Sequence, residues 1–174
     1  MKILSCGAGM QSMALALMSC ENVVNGAKHP CVPNYDAIIF CDLGNEPPWV
    51  YEQVNFIRDA CIESGIPFYR LEKNLYNDFM SCFGKKRTCT IPFWSVDTDG
   101  RKAKMRRNCT IDYKILHIQQ FVRRELLGYR KGERTRVADI GAHEMHIGFS
   151  REEQRRVSNS LHPFFVSKYP LIEM

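Results

Sequence analysis

The sequence predicts an α/β fold, a parallel sheet with helices on both faces, and three observations carry that expectation. The chain opens with a short apolar strand that passes through a glycine turn into an Ala/Leu/Met-rich helix, ILSCGAGMQS followed by MALALMSC. A second apolar run, Asp36 to Cys41, is continuous rather than alternating, as in a strand covered on both faces. From Asp36 to Leu71 the order is strand, helix, strand, the right-handed crossover that joins parallel neighbours.

Taken in order, Lys2–Ser5 is the first strand and Gln11–Cys20 the first helix. That helix is apolar nearly all round (Met13 to Met18), which predicts burial on every side. A loop through Asn25-Gly26 and Pro30 to Pro33 leads to the second strand. The prolines of Asp42-Leu-Gly-Asn-Glu-Pro-Pro can open a helix at its first turn. In that helix Val50, Val54, Ile57 and Cys61 recur at helical spacing until Gly65 stops it. Ile66–Leu71 is the third strand. Residues 72–109 read as a long, charged, irregular connection. A helix from Thr110 to Leu127 follows, with Thr110 as its cap and Ile111, Ile115, Ile118, Val122 and Leu126 as its buried stripe; Gly128 ends it. Arg136–Ile140 and Met145–Gly148 are expected as short strands. Ser150 is expected to cap a short helix over Arg151–Arg156, with Glu153 completing a capping box.

The totals suit one globular domain: 174 residues, 45% hydrophobic and 25% charged. Met1-Lys2-Ile3 runs straight into a strand, and no apolar stretch reaches membrane-spanning length. A cytoplasmic protein is therefore expected, its eight cysteines mainly free thiols. Residues 101–156 carry fifteen Lys/Arg against seven Asp/Glu, a basic half suited either to an anionic ligand or to a solvated helical face.

Functionally, the Ile3–Ser12 stretch combines glycines with a helix start, whose unpaired N–H groups and positive dipole end attract anions. It is not a Walker loop, since no Gly-Lys-Ser/Thr follows, nor a dinucleotide fingerprint, since the glycine spacing differs. The same spacing also fits a plain turn between a buried strand and a buried helix. Ligands of parallel sheets bind beyond the carboxyl ends of the strands, so this loop and the Asp42–Glu46 loop are expected on one rim. Two polar loops converging there favour a ligand. His143, Glu144 and His146 can be read as metal ligands or as a solvated turn. The run Lys85-Lys86-Arg87 and the rings of Trp49 and Trp94 are candidates for nucleic-acid contact, with solvated surface and packing as their alternatives.

Several segments together resemble one family. Ser5-Cys-Gly-Ala-Gly-Met-Gln-Ser12 resembles the Ser-Gly-Gly-x-Asp-Ser pyrophosphate loop (PP-loop) of the adenine nucleotide α-hydrolase-like superfamily. Phe40-Cys-Asp-Leu-Gly-Asn-Glu46 is similar to the Phe-x-Asp-Thr-Gly-x-Glu segment of phosphoadenylyl-sulfate (PAPS) reductase-like proteins. Arg107-Asn-Cys-Thr-x-x-Tyr-Lys114, the stretch His146 to Arg155, and Tyr169-Pro-Leu-Ile172 resemble segments of an often phage-encoded branch of that family. The matches are collinear and span nearly the whole chain, so residues 1–174 are expected to form a single Rossmann-like PP-loop domain.

The resemblance implies an adenine-nucleotide cofactor, ATP or PAPS, with Mg2+. It implies an enzyme that adenylylates a substrate and releases pyrophosphate, in nucleotide or nucleic-acid modification or sulfur transfer. The alternatives it leaves are a PAPS-type reductase and a non-catalytic nucleotide-binding module. Ser5, Gly7, Ala8, Gly9, Gln11 and Ser12 would bind phosphates, Gln11 standing where ATP-cleaving members carry Asp. Phe40 and Cys41 would offer backbone groups to adenine, and Asp42 would contact nucleotide or magnesium. Arg107, Lys114 and Arg155 would meet phosphates or the leaving group, and His143 would face the nucleotide side. Cys109 would ligate a metal or iron–sulfur cluster together with a Cys-x-x-Cys element that in this branch follows Pro-Leu-Ile; an intact cluster within these 174 residues is not the expectation. A nucleic acid or nucleobase is the implied partner, and a membrane is not.

Overall fold

The structure, a computed structural model, describes residues 1–82, 94–104, 110–158 and 162–174. Five parallel strands make the central sheet: β1 (Lys2–Cys6), β2 (Ala37–Asp42), β3 (Phe68–Glu72), β6 (His143–Ile147) and β7 (Phe165–Lys168). Their spatial order is β3-β2-β1-β6-β7. The chain winds outward from β1 to β3, then returns to the other side of β1 for β6 and β7. The direction of winding therefore switches between β1 and β6, where a parallel sheet opens a crevice at its carboxyl edge. This is a Rossmann-like α/β architecture.

Side-chain alternation along the strands divides the core between the two faces. Leu4, Cys6 and Ile38 face helices α1 (Met10–Asn25) and α2 (Pro48–Ser64), packing on Leu15, Ala16, Ile57 and Cys61. Ile3, Ala37, Ile39 and Met145 face the other way, onto Ile118 and Val122 of a long helical segment. That segment is α4 (Leu116–Phe121) flanked by π-helical turns at Thr110–Ile115 and Val122–Leu126. Every residue of β2 is buried, which is why its sequence is continuously apolar until Asp42.

Pro48 opens α2 and Gly65, at φ 74°, closes it, with its N–H on the carbonyls of Cys61 and Ile62. Only glycine accepts that left-handed conformation without strain. No helix among the described residues is long and apolar enough to cross a membrane.

Several elements differ from expectation. Helix α1 continues to Asn25 and is not buried all round: Met10, Val23 and Val24 are exposed, because the sheet covers only its inner face. Two polar residues on that inner face, Ser19 and Asn22, are buried because they fasten the following loop. Ser19 Oγ donates to the Pro33 carbonyl, and Asn22 Nδ2 donates to those of His29 and Val32. Residues 72–109 contain α3 (Leu75–Cys82) and the antiparallel pair β4 (Trp94–Val96) and β5 (Lys102–Lys104), so the connection is not wholly irregular. Arg136–Ile140 is no strand; it holds a short 3-10 turn, Val137–Asp139. Strand β7 went unrecognised because its four residues lack a decisive pattern. Residues 151–156 form a 3-10 helix whose Ser150 makes no side-chain cap, and Glu153 is used elsewhere. Only the backbone N–H of Glu153 reaches the Ser150 carbonyl. The short α5 (Pro170–Glu173) sets Leu171 against the α1 side of the core.

Candidate functional site at the carboxyl edge of the sheet

Between β1 and α1 the chain turns through Gly7-Ala8-Gly9. Ala8 has φ 54°, a left-handed conformation unusual for a residue with a side chain, and its methyl is buried against Phe40 and Val54. Placing Ala8 this way reverses the chain between β1 and α1, so that Gly9 enters the helix in extended conformation. Ser12 staples the turn: its Oγ accepts from Gly7 N–H at 3.2 Å and donates to the Gly9 carbonyl at 3.1 Å. The Ser12 hydroxyl proton is thus committed inside the loop. Gly9, the N-cap of α1, supplies no side-chain cap, and the first turn holds no acidic residue. The N–H groups of that turn are left for an outside acceptor.

The segment after β6 closes on this loop. A Cβ on Gly148 would lie 2.7 Å from the Ser12 backbone nitrogen and 2.9 Å from the Gln11 carbonyl carbon, so only glycine permits the approach. Gln11 Nε2 donates to Glu153 Oε2 at 3.2 Å, and Glu153 also pairs with Arg156. Gln11 therefore secures the post-β6 segment to the α1 start. Arg155 is exposed on that segment.

The second rim loop is organised by Asp42, whose side chain is 4% exposed. Its Oδ1 accepts from Gly44 N–H at 2.7 Å and Tyr51 Oη at 3.1 Å, and its Oδ2 accepts from Arg70 Nε at 3.1 Å. Burial pushes its pKa up, but the Gly44 N–H, the Arg70 guanidinium and the Tyr51 hydroxyl outweigh burial and hold it below the usual range. These residues, with Glu72, Lys73 and Asn74, line an open polar cleft of about 370 Å³. Lys114 reaches the same rim from the opposite face of the sheet, its Nζ 3.4 Å from Glu46 Oε1 and its carbonyl 3.8 Å from Cys41 Sγ.

At the carboxyl ends of β1 and β6, beneath the 110–126 helix, lies a largely apolar cavity of about 240 Å³. Ser5, Ile115, Gln119, Met145, Ile147 and Phe165 are among its walls. Ile111 and Ile115, expected in the core stripe, line this cavity instead. The helix meets β2 already at Lys114, and the cavity opens on its other side, over β1, β6 and β7, where Ile118 and Gln119 line it as well.

The structure brings Gly7, Ala8, Gly9, Gln11 and Ser12 together in one loop, with Asp42 and Lys114 on the same rim. Ser5 is not part of that loop; strand alternation turns it to the opposite side of the sheet, into the apolar cavity. The side chain of Phe40 is core, 1% exposed, and its backbone lies in the ladders to Cys6 and Arg70. His143 is a correction: it begins β6 and so lies at the amino edge of the sheet, 3.3 Å from the Met1 amino group and 3.3 Å from Asp139. Reading its turn as a strand end put it on the wrong edge. Arg107 and Cys109, like Lys85, Lys86 and Arg87, lie outside the described residues.

The donor set at Asp42 does not fit magnesium. Both carboxylate oxygens are engaged, one by a guanidinium whose positive charge opposes a dication. Among the described residues no group of three His, Cys, Asp or Glu side chains could hold a metal. Three participants escaped the sequence reading. Arg70 and Tyr51 sit in patterns that read as ordinary strand and helix, and Gly148 shows its need only when β6 meets α1. The one charge inside the otherwise apolar run Phe68 to Leu71 is the signal that could have marked Arg70.

The chain defines an α/β protein with a glycine turn and an uncapped helix start at the switch point of its sheet. No protein-family model and no curated protein matches it.

Proposed function

We propose that this protein binds an adenine nucleotide and adenylylates a substrate, releasing pyrophosphate. The observation that supports this most is the pairing, at the switch point of the sheet, of an uncapped helix start with an adjoining apolar cavity. The first suits polyphosphate and the second suits a base.

On this reading the phosphates lie against the N–H groups of Gly9, Met10 and Gln11, at the turn that Ala8 shapes and Ser12 staples. A sulfur or nitrogen nucleophile attacks the α-phosphorus, the bond from that phosphorus to the bridging oxygen breaks, and pyrophosphate carries the electron pair away. Backbone donors and the positive end of α1 stabilise the charge that builds on the leaving group. Lys114, oriented by Glu46, supplies a cation on the same rim, and Arg70, oriented by Asp42, supplies another. The basic 101–156 half suits a nucleic acid or nucleotide as acceptor.

The reductase alternative needs a thiol of depressed pKa in the site. The two described thiols nearest the rim run the other way: burial raises that of Cys6 and pushes Cys41 up to about 12. The adenylylation reading is therefore preferred.

The test is a thermal-shift comparison of ATP, PAPS and AMP, with and without magnesium, followed by assay of pyrophosphate release. A ligand at 100 times its Kd stabilises by about 2.7 kcal/mol. ATP is expected to shift the transition more than AMP does. Absence of a shift from every adenine nucleotide refutes the reading, and a shift from PAPS alone transfers it to sulfonucleotide chemistry.

A further inference from the structure

The cavity beneath the 110–126 helix is lined by six apolar residues and four polar ones, Ser5, Gln119, Ser158 and Ser167, and one of the four carries an oxygen that is buried without a partner. Gln119 is 5% exposed, and its Oε1 is buried with no hydrogen-bond partner. A buried acceptor left unpaired is costly, and native proteins seldom retain one without a use.

Its position gives the use. Ser5 and Ile147, paired in register at the carboxyl ends of β1 and β6, form the cavity wall nearest the rim. Met145 and Phe165 lie progressively further down the strands. Along the helix, Lys114 marks the rim through its ion pair with Glu46, and Gln119 follows five residues later, about 7 Å deeper at 1.5 Å per residue. The cavity thus runs inward from the carboxyl ends of β1 and β6, and Gln119 stands toward its inner end. At about 240 Å³ it lies below the roughly 300–1,000 Å³ of pockets that enclose whole drug-sized ligands, so it suits a single ring system with the rest of the ligand outside.

We infer that Gln119 is a specificity-determining residue, its amide reading the edge of an adenine ring seated in this cavity. The inference rests on the nucleotide reading above and deepens it. A carboxamide carries an acceptor and a donor side by side, which matches the amino group and ring nitrogen N7 of adenine. The amino group of adenine donates to Oε1, and Nε2 donates to the ring nitrogen. Hypoxanthine and guanine present two acceptors on the same edge, so one amide group faces a mismatch and the buried Oε1 stays unpaired. The apolar walls, Ile115, Ile147, Met145 and Phe165, cover the ring faces and carry no preference among purines. The serines that also line the cavity, Ser5, Ser158 and Ser167, carry hydroxyls that both donate and accept and so adapt to either purine edge.

The experiment titrates the full chain with ATP, ITP, adenosine, inosine and pyrophosphate, for the wild type and Gln119→Leu. Expected for the wild type is at least about ten-fold tighter binding of ATP than ITP, with adenosine preferred over inosine in the same sense. In Gln119→Leu both preferences fall to within about two-fold, while pyrophosphate affinity is unchanged. The apo variant melts no lower than the wild type, because an unpaired buried acceptor has been replaced by an apolar group. A wild type that does not distinguish ATP from ITP, or a preference that survives Gln119→Leu, overturns the assignment. If pyrophosphate binds but ATP binds no tighter, the cavity takes no base and this inference falls while the phosphate loop stands. If adenosine discriminates and pyrophosphate fails to bind, the loop reading falls and Gln119 stands.

Discussion

Replacing Gly9 by Asp sets two consequences of the α1 start against each other. Gly9 is the N-cap, at φ −84° and ψ 167°, the extended conformation in which Asp caps helices well. There is room for the side chain, since a Cβ at Gly9 would have only Gln11 Oε1 near it, at 4.0 Å. An Asp there satisfies first-turn N–H groups, worth a few tenths of a kcal/mol over glycine. Its charge meets the positive end of the helix dipole for about 0.3–1 kcal/mol, and loss of glycine's freedom in the unfolded chain adds about 0.4–1 kcal/mol. These gains overlap, so a net stabilisation of about 0.5–1.5 kcal/mol is expected, raising Tm by about 1–6 °C in a chain this long. The same carboxylate occupies the donors that would hold phosphate and repels what remains. ATP affinity is therefore expected to fall at least ten-fold, or about 1.4 kcal/mol. Gly9→Asn, a neutral cap, separates occupancy from charge and should stabilise with a smaller loss of binding. Differential scanning calorimetry and isothermal titration read the two effects. A stabilised Gly9→Asp that binds ATP as well as the wild type would remove the anion site from α1. A destabilised one would mean that the helix start is not open.

Four further outcomes follow from the same geometry. Because the pKa of Asp42 is depressed on folding, its contribution is present above the unfolded carboxylate value near 3.9 and is lost as pH falls through the folded value. Asp42→Asn should accordingly cost stability at pH 7 and flatten the acid limb of a stability–pH curve. Arg70→Met leaves that buried carboxylate without its cation and should cost about 1–3 kcal/mol by urea denaturation; the exposure of Arg70 keeps the figure below that of a fully buried pair. Gly148→Ala should lower Tm through about 1–3 kcal/mol of overpacking against the Gln11–Ser12 backbone and weaken nucleotide binding with it; a neutral result would mean that the two segments do not touch. His143→Gln should leave nucleotide affinity unchanged, because His143 occupies the other edge of the sheet, and any marked loss of binding would contradict its placement there.

How legible the molecule was depended on whether each feature was local. Gly65 stops α2 because one residue must go left-handed, and that can be read from one letter. Asp42 declared itself as a polar residue ending an apolar strand beside a glycine. Gly148 declared nothing, since its need for a missing side chain arises from the backbone of Ser12, more than a hundred residues away in the chain. Arg70 looked like a charge in an edge strand until the register of β2 and β3 set it beside Asp42. Gln119 looked like one of two glutamines between apolar stripe positions. Only the gap between helix and sheet makes its unpaired Oε1 conspicuous. His143 shows the reverse error, a motif read without its strand's direction.

The sequence by itself determined the α/β class, the crossover from β2 to β3 and the two polar loops at strand ends, because hydrophobic period and glycine chemistry act over neighbouring residues. The tertiary structure decided which edge each side chain occupies. It turned Ser5 out of the loop, moved His143 to the far edge, set Arg70 against Asp42, and left a cavity between the 110–126 helix and the sheet. Those outcomes depend on strand order, register and helix placement, which are fixed by contacts between residues that no local pattern connects.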